Sequence, residues 1–229
     1  MYNLKKNTYV VVEFTEINGH FSGIYDSRTK QDLSFASSLI VEIAAVKIQK
    51  GEISEHYTNF IGLDGVQAKN LCEEMSSLTD KGITPTHLIG APSLEEAVRK
   101  LYDFTRDCII LVQYKTPFFN TPFDTFQLYA RSFGYVFNNP VFGILDIVQA
   151  AKLKKVFKEK NIDYRDVLRV AENIEQMIAG WQDIFAEYEI FFAPFSNDPC
   201  NRGRNDPLSW AIAFARLFLA ITDCEKRRC

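Results

Sequence analysis

The sequence has little that would place it in a membrane, outside the cell or on a nucleic-acid backbone. None of its apolar runs approaches the ~20 residues that a membrane-spanning helix needs. Its first residues also lack the apolar core of a secretory signal peptide. The formal net charge is only −3, with no long run of one sign. We therefore expect a cytoplasmic protein that does not bind membranes and has no basic tail for non-specific nucleic-acid binding.

Cysteine and histidine are scarce, and their spacing matches no common metal or disulfide pattern. The cysteines are Cys72, Cys108, Cys200, Cys224 and Cys229. They are odd in number and lack the paired spacing of zinc sites, so we expect free thiols in a reducing compartment. The three histidines, His20, His56 and His87, all lie in the first half of the chain. The last predicted helix therefore has no imidazole near it in sequence.

The chain has enough apolar residues for one sizeable core, with 47% hydrophobic and 14% aromatic residues. We expect a single domain over residues 1–229. Runs rich in β-branched residues predict strands at 9–14, 39–48, 52–61, 108–112 and 140–145. Apolar residues at helical spacing predict helices at 71–79, 94–104, 123–133, 147–160 and 208–221. This order predicts an α/β sheet covered by helices, with an extra loop at about 18–37 and an extra helical segment at about 161–195.

The first strand ends in side chains that packing does not explain. Glu13 and Glu16 follow a run of three valines, and Asn18-Gly19 is a turn signal. A buried carboxylate is costly unless it is paired, hydrogen-bonded or bound to a metal. The sequence therefore predicts a functional site at the end of this strand, with the later strands and helices arranged around it.

Later segments follow one another in a recognisable order. Residues 39–46 are Leu-Ile-Val-Glu-Ile-Ala-Ala-Val, and residues 83–93 run from Ile-Thr to Gly-Ala-Pro-Ser. Residues 119–124 are Phe-Asn-Thr-Pro-Phe-Asp, and residues 205–211 are Asn-Asp-Pro-Leu-Ser-Trp-Ala. Together with Asp146-Ile-Val-Gln-Ala-Ala, this series resembles the motifs of the DnaQ-like (DEDDh) 3′–5′ exonucleases. The resemblance spans nearly the whole chain.

The resemblance implies an RNase H-like exonuclease fold, with a five-stranded mixed sheet of order 3-2-1-4-5 and helices on both faces. It also implies a reaction, hydrolysis of a phosphodiester at a 3′ end. In the family two divalent metals, Mg²⁺ or Mn²⁺, are held by four carboxylates and a histidine is the general base. Metals in such a site stabilise the attacking and leaving oxygens.

Carried over residue by residue, the resemblance leaves an incomplete site. Glu13 and Asp124 are the remaining catalytic and metal-binding carboxylates, and Glu13 has one methylene more than the family's aspartate. The family's second acid, its histidine and its last acid are replaced by Thr15, Asn205 and Trp210. Glu16 could replace the second acid only if the strand ends or bulges before it. Two carboxylates neutralise two metals poorly, so we expect weak binding of one metal at Glu13 and Asp124.

Phe14, Phe119 and Asn120 are the candidate substrate-binding residues. The aromatic rings could stack on bases, or they could fill space left by lost metals and water. Asn120 could contact a ligand or cap its loop. We expect Asp146 to be the N-cap of the helix that follows it.

Three functions remain open from the sequence. The favoured one is a catalytically impaired exonuclease-fold protein that binds single-stranded nucleic acid or a nucleotide in the former active-site cleft. The second is an active nuclease that uses Mg²⁺ or Mn²⁺ with variant ligands, namely Glu13, Glu16, Asp124 and either Asp198 or Asp206. The third is a scaffold that binds a protein partner or forms a homodimer through the apolar side chains of the extra helical segment. The first and third functions require no metal cofactor.

Overall fold

A computed structural model of the chain describes residues 3–18, 25–26, 31–32, 38–115, 121–160, 181–190 and 206–227. The strands are β1 Tyr9–Asn18, β2 Tyr25–Asp26, β3 Gln31–Asp32, β4 Ser38–Gln49, β5 Glu52–Phe60, β6 Ile109–Val112 and β7 Val141–Gly143. The helices are α1 Gly65–Glu74, α2 Ser76–Asp80, α3 Pro85–Leu88, α4 Leu94–Phe104, α5 Pro122–Ser132, α6 Ile144–Lys160, α7 Trp181–Glu187 and α8 Pro207–Arg227. No helix in these ranges is long and apolar enough to cross a membrane.

Five strands form one mixed sheet in the order β5-β4-β1-β6-β7. Strand β4 is antiparallel to both β1 and β5, whereas β6 is parallel to β1 and β7. Counted along the chain within this sheet, the order is 3-2-1-4-5, which confirms the predicted α/β fold. The short strands β2 and β3 pair separately as a two-stranded sheet.

Strand β1 is the middle strand of the sheet, and its valine run is buried on both faces. Val10 and Val12 belong to a core formed with α4 and α5. Tyr9 and Val11 belong to a second core, on the opposite face, formed with α6, α7 and α8. Alternate residues of β1 therefore pack against two separate layers of helices, one on each face of the sheet.

Strand β1 is longer than the sequence predicts, and this changes the setting of its polar residues. It continues to Asn18 because β4 pairs with it along its full length. Its pairing with β6 covers only Tyr9–Val11. Glu13 and Thr15 therefore lie inside the strand on its β4 side, but beyond the described pairing on its β6 side. The opening left on that side lies where the functional site was predicted.

The helix starts are partly as predicted. Ser93 caps α4, and its side chain accepts a hydrogen bond from the Glu96 N–H as expected. The prediction that Asp146 is an N-cap is wrong, because α6 begins at Ile144 and Asp146 lies in its first turn. Its Oδ2 occupies space beside Gly143, at 2.6 Å from where a Cβ on that glycine would lie. A side chain on residue 143 would collide with this carboxyl and with the Lys115 backbone nitrogen, so the position requires glycine.

Other predicted features differ in extent or lie outside the described residues. The single helix expected at 71–79 is two helices, α1 and α2. Of the extra segment at 161–195, the described part is 181–190, which contains α7. Cys72 and Cys108 are free and buried, and the side chains of the other three cysteines lie outside the described part of the chain.

Candidate functional site

A small pocket opens where β1 and β6 stop pairing. It is bounded by the middle of β1, by the end of β6 with the two residues after it, and by the first turn of α5. The lining residues are Val12, Glu13, Phe14, Val112, Gln113, Tyr114, Thr121, Pro122 and Phe123. The empty space measures about 270 Å³, part of it open to solvent. The pocket thus contains two of the predicted site residues, Glu13 and Phe14.

Glu13 brings a buried carboxyl oxygen to this pocket. Its Oε1 is buried and has no hydrogen-bond partner among the described residues. Burial raises the pKa of the Glu13 carboxyl to about 8, because the charged form loses its hydration without gaining a partner. In the metal-free protein the carboxyl is therefore largely protonated at neutral pH.

Thr15 stands at the position where the resemblance implies a second acid, and it is bound to an acid on the next strand. Its Oγ1 donates a hydrogen bond of 2.9 Å to Oε2 of Glu42. The two residues are opposite each other in the β1–β4 register, and their exposed fractions are only 3% and 1%. Glu42 is not among the site residues predicted from the sequence. The signal was present, since Glu42 is a charge inside the apolar run 39–48.

The pairing of β1 with β4 has a β-bulge between Thr15 and Glu16. A bulge at this place in β1 is what Glu16 would need in order to replace the missing acid. Thr15 pairs with Glu42 and Glu16 with Ile40, so Val41 is the extra residue and the bulge is on β4. The pKa of Tyr129 on α5 is raised to about 12, mainly by burial of its hydroxyl and to a smaller extent by the negative charge of Glu16. Glu16 therefore faces α5, whereas Thr15 faces Glu42.

Asp124 is held by the start of its own helix. Its Oδ2 accepts hydrogen bonds from the N–H of Thr121 at 2.9 Å and from the Thr121 Oγ1 at 2.7 Å. Thr121 accepts one in return from the Asp124 N–H, which completes a capping box at the N-terminus of α5. Thr121 also lines the pocket, so it connects Asp124 to the opening beside Glu13.

Two aromatic residues of the predicted site are also held by packing. Trp210 lies in the first turns of α8, with its ring 5.9 Å from that of Phe185 and 5.6 Å from that of Phe214. Phe14 lies 5.2 Å from Phe126, ring centre to ring centre, while one side of it borders the pocket. Phe119, Asn120 and Asn205, and also Asp198, lie outside the described residues.

The described acids do not assemble into a metal centre. No group of three or more His, Cys, Asp or Glu side chains with metal-binding geometry occurs in the described ranges. Asp206, a further candidate ligand, is buried and caps α8: one oxygen accepts from the Ser209 N–H and the other from its hydroxyl, both at 2.7 Å. These residues therefore do not fit a two-metal site, which needs several carboxylate oxygens free to face the ions.

Comparison with known proteins identifies the fold. No family model matches the sequence, and no curated protein is significantly similar to it. Among solved structures, a full-length 3′-exonuclease is similar at 8% identity, with a TM-score of 0.47, over 96% of this chain and 84% of that one. A 3′-exonuclease described as recognising the 3′ end of a histone mRNA stem-loop is similar at 10% identity, with a TM-score of 0.53, over 97% and 84%.

The zinc-bound form of the E. coli ExoI–ssDNA complex is similar at 11% identity, with a TM-score of 0.54. That match covers 97% of this chain but only 42% of ExoI, so the chain spans about two fifths of the length of ExoI. The two structures with TM-scores of 0.53 and 0.54 support an exonuclease-like fold, and at these identities they show the fold alone.

Proposed function

We propose that this chain is a DnaQ-like exonuclease-fold protein that binds single-stranded nucleic acid or a nucleotide at the pocket beside Glu13, and that it hydrolyses phosphodiesters poorly or not at all. The observation that carries the proposal is the alternative use of the metal-ligand positions. Thr15, Asp124 and Trp210 stand where the resemblance implies acids, and each is held in a contact that serves the fold.

The contacts differ, but each works against a two-metal reaction. The hydroxyl of Thr15 is neutral and already bonded to Glu42. One oxygen of Asp124 accepts two hydrogen bonds from Thr121, which leaves less of its electron density for a cation. Trp210 contributes an apolar ring. A two-metal mechanism needs anionic oxygens at all of these places to offset the charge of the ions.

Binding of nucleic acid is supported by the position of the pocket and by the fold neighbours. The pocket lies at the carboxyl end of β6, where its parallel pairing with β1 has stopped, and open α/β sheets place their ligands beyond the carboxyl ends of such strands. Two structures of similar fold are described in terms of nucleic acid, an mRNA stem-loop and ssDNA. Because the fold is shared while the catalytic positions are altered, binding without efficient cleavage is the simplest function to expect.

An active nuclease with substitute ligands has less support. Glu16 faces α5, where its charge acts on Tyr129. Both carboxylate oxygens of Asp206 are occupied by Ser209. Asp206 would therefore have to give up its capping bonds before it could bind a metal.

The test measures binding and cleavage with the same labelled single strands, one of DNA and one of RNA. Fluorescence anisotropy at low salt reports binding, and gel analysis with Mn²⁺ or Mg²⁺ reports shortening from the 3′ end. We expect binding without metal-dependent shortening. Absence of binding to either strand overturns the binding part of the proposal.

Asp124→Asn is the variant that separates true residual activity from contamination. An asparagine side chain can still accept the Thr121 hydrogen bonds, so α5 stays capped while the negative charge is lost. Asp103→Asn, at an exposed acid of α4 that pairs with Arg106, is the matched control. Mn²⁺-dependent shortening that disappears in Asp124→Asn and persists in Asp103→Asn would show that the chain is an active nuclease.

A further inference from the structure

The pocket beside Glu13 is too small to enclose a base. The volume that a water molecule can enter is about 20 Å³, which is room for one water and not for a ring system. None of the nine residues that line it is a lysine, an arginine or a histidine, so a phosphate would meet no cation among them. A nucleic acid bound at this pocket must therefore be held by the surface around its mouth.

The side chains around the mouth are mostly apolar. Tyr114 lies two residues after the end of β6 and has 38% of its surface exposed. Phe14 on β1 and Pro122 in the first turn of α5 are half-buried, and all three residues line the pocket. An exposed ring with apolar neighbours gives a nucleic acid a surface on which the face of a base can stack.

The charges around the mouth do not favour a phosphate. Lys115 directly follows Tyr114 and is exposed, and its Nζ donates to the Val141 carbonyl oxygen at 3.5 Å. Burial raises the pKa of the Asp146 carboxyl, and the positive charge of Lys115 opposes part of that rise. The lysine therefore lies close enough to Asp146 for the two charges to offset each other, which leaves little attraction for a phosphate at this place.

We propose, resting on the function proposed above, that a strand bound at this pocket is held by stacking of an unpaired base on Tyr114 at the mouth, and only weakly by its phosphates. Every base has a π-face, so this contact accepts any base. Within a duplex the faces of the bases are covered by their neighbours in the stack. The ligand class is therefore a single strand whose bases are free to stack on the protein.

The experiment compares a short labelled DNA strand with an abasic strand of the same length, by fluorescence anisotropy in a chelator-containing buffer. Both strands carry the same phosphates, so the ratio of their dissociation constants reports the contribution of the bases. We expect the abasic strand to bind at least about tenfold more weakly, which is the size of loss that one stacked base produces. Equal affinities overturn the inference.

The salt dependence of binding is an independent measure of the phosphate contacts. Each phosphate contact of a single strand contributes about −0.7 to the slope of log affinity against log salt concentration. With no more than one such contact, a fourfold rise in salt should weaken binding by about threefold or less. A steeper loss shows that the phosphates dominate and overturns the inference.

Variants of Tyr114 test the role of its ring. Tyr114→Leu should weaken binding of the base-containing strand by about tenfold and leave the abasic strand unaffected, whereas Tyr114→Phe keeps a ring and should bind like the wild type. Phe142→Leu is the matched control, because Phe142 is similarly exposed, at 42%, and does not line the pocket. A Tyr114→Leu variant that binds like this control overturns the role of Tyr114.

The outcomes for this inference and for the proposed function are distinct. If the base-containing strand does not bind, the proposed function fails and the stacking contact fails with it. If the base-containing and abasic strands bind with equal affinity, the proposed function stands and only the stacking contact is wrong.

Discussion

The hydroxyl of Thr15 on β1 donates a 2.9 Å hydrogen bond to the carboxyl of Glu42 on β4, directly across the sheet. Both residues are almost fully buried. The position at which the family resemblance implies a metal-binding acid is thus occupied by a donor that stabilises an acid on the neighbouring strand. The residue that replaces the expected metal ligand therefore stabilises the folded sheet.

Removing the Thr15 hydroxyl should destabilise the protein. In Thr15→Val the buried Glu42 carboxyl loses this donor while the shape of the side chain is kept, so the free energy of unfolding should fall by about 1–3 kcal/mol. Urea denaturation measures the change. Thr15→Ser, which retains the hydroxyl, is the control and should lose less. If Thr15→Val is as stable as the wild type, the hydrogen bond contributes nothing to stability.

The stability of the metal-free protein should depend on the protonation of Glu13. Its pKa is raised from the ordinary 4.5 to about 8 in the folded chain. The folded state therefore binds the Glu13 proton more tightly than the unfolded state does. The stability contributed by the protonated carboxyl is fully present below pH 4.5 and is lost as the pH rises through 8. Glu13→Gln should remove this dependence.

The measurement for Glu13 is the difference in unfolding free energy between mildly acidic and mildly alkaline buffer, with chelator present. The wild type should lose on the order of 1–3 kcal/mol more than Glu13→Gln, a range discounted because the residue is partly exposed. Identical pH dependence in the two proteins would mean that the carboxyl is solvated or paired.

The capping box of α5 predicts how Asp124 variants will differ. Asp124→Ala removes the acceptor for the Thr121 N–H and hydroxyl, and it should lower stability by about 0.5–2 kcal/mol. Asp124→Asn can still accept both bonds and should lose less. Thermal unfolding of the two variants provides the test, and equal losses would show that the charge matters more than the cap.

Restoring the missing acid at position 210 should not restore a metal site. Trp210→Asp removes a ring that contacts Phe185 and Phe214, and it should cost about 2–3 kcal/mol, because the ring is half-buried. The added carboxylate should give no measurable Mn²⁺ binding, since Thr15 and Asp124 remain in their structural contacts. Trp210→Phe is the packing control. Calorimetric titration with Mn²⁺ is the measurement, and tight binding to Trp210→Asp would contradict our account of the site.

Much of the scaffold could be predicted because its signals are local. The valine run of β1 needs burial on both faces wherever it lies in a sheet. The start of α4 follows from one side chain, since Ser93 bonds a backbone N–H three residues away. The error at Asp146 has an equally specific cause. An acid after a strand is typical of an N-cap, but the helix begins at Ile144, and the Asp146 carboxyl instead packs against Gly143, which has no side chain.

The order of the strands and helices and the positions at which acids are replaced follow from the sequence alone, because periodicity and side-chain charge are properties of neighbouring residues. The contacts that the replacing residues make depend on the folded chain. The register of β4, with its bulge at Val41, brings Glu42 to Thr15 across 27 positions of chain. The early end of the β1–β6 pairing opens the pocket at Glu13. Contacts between distant segments follow from how the whole sheet packs against its two helical layers.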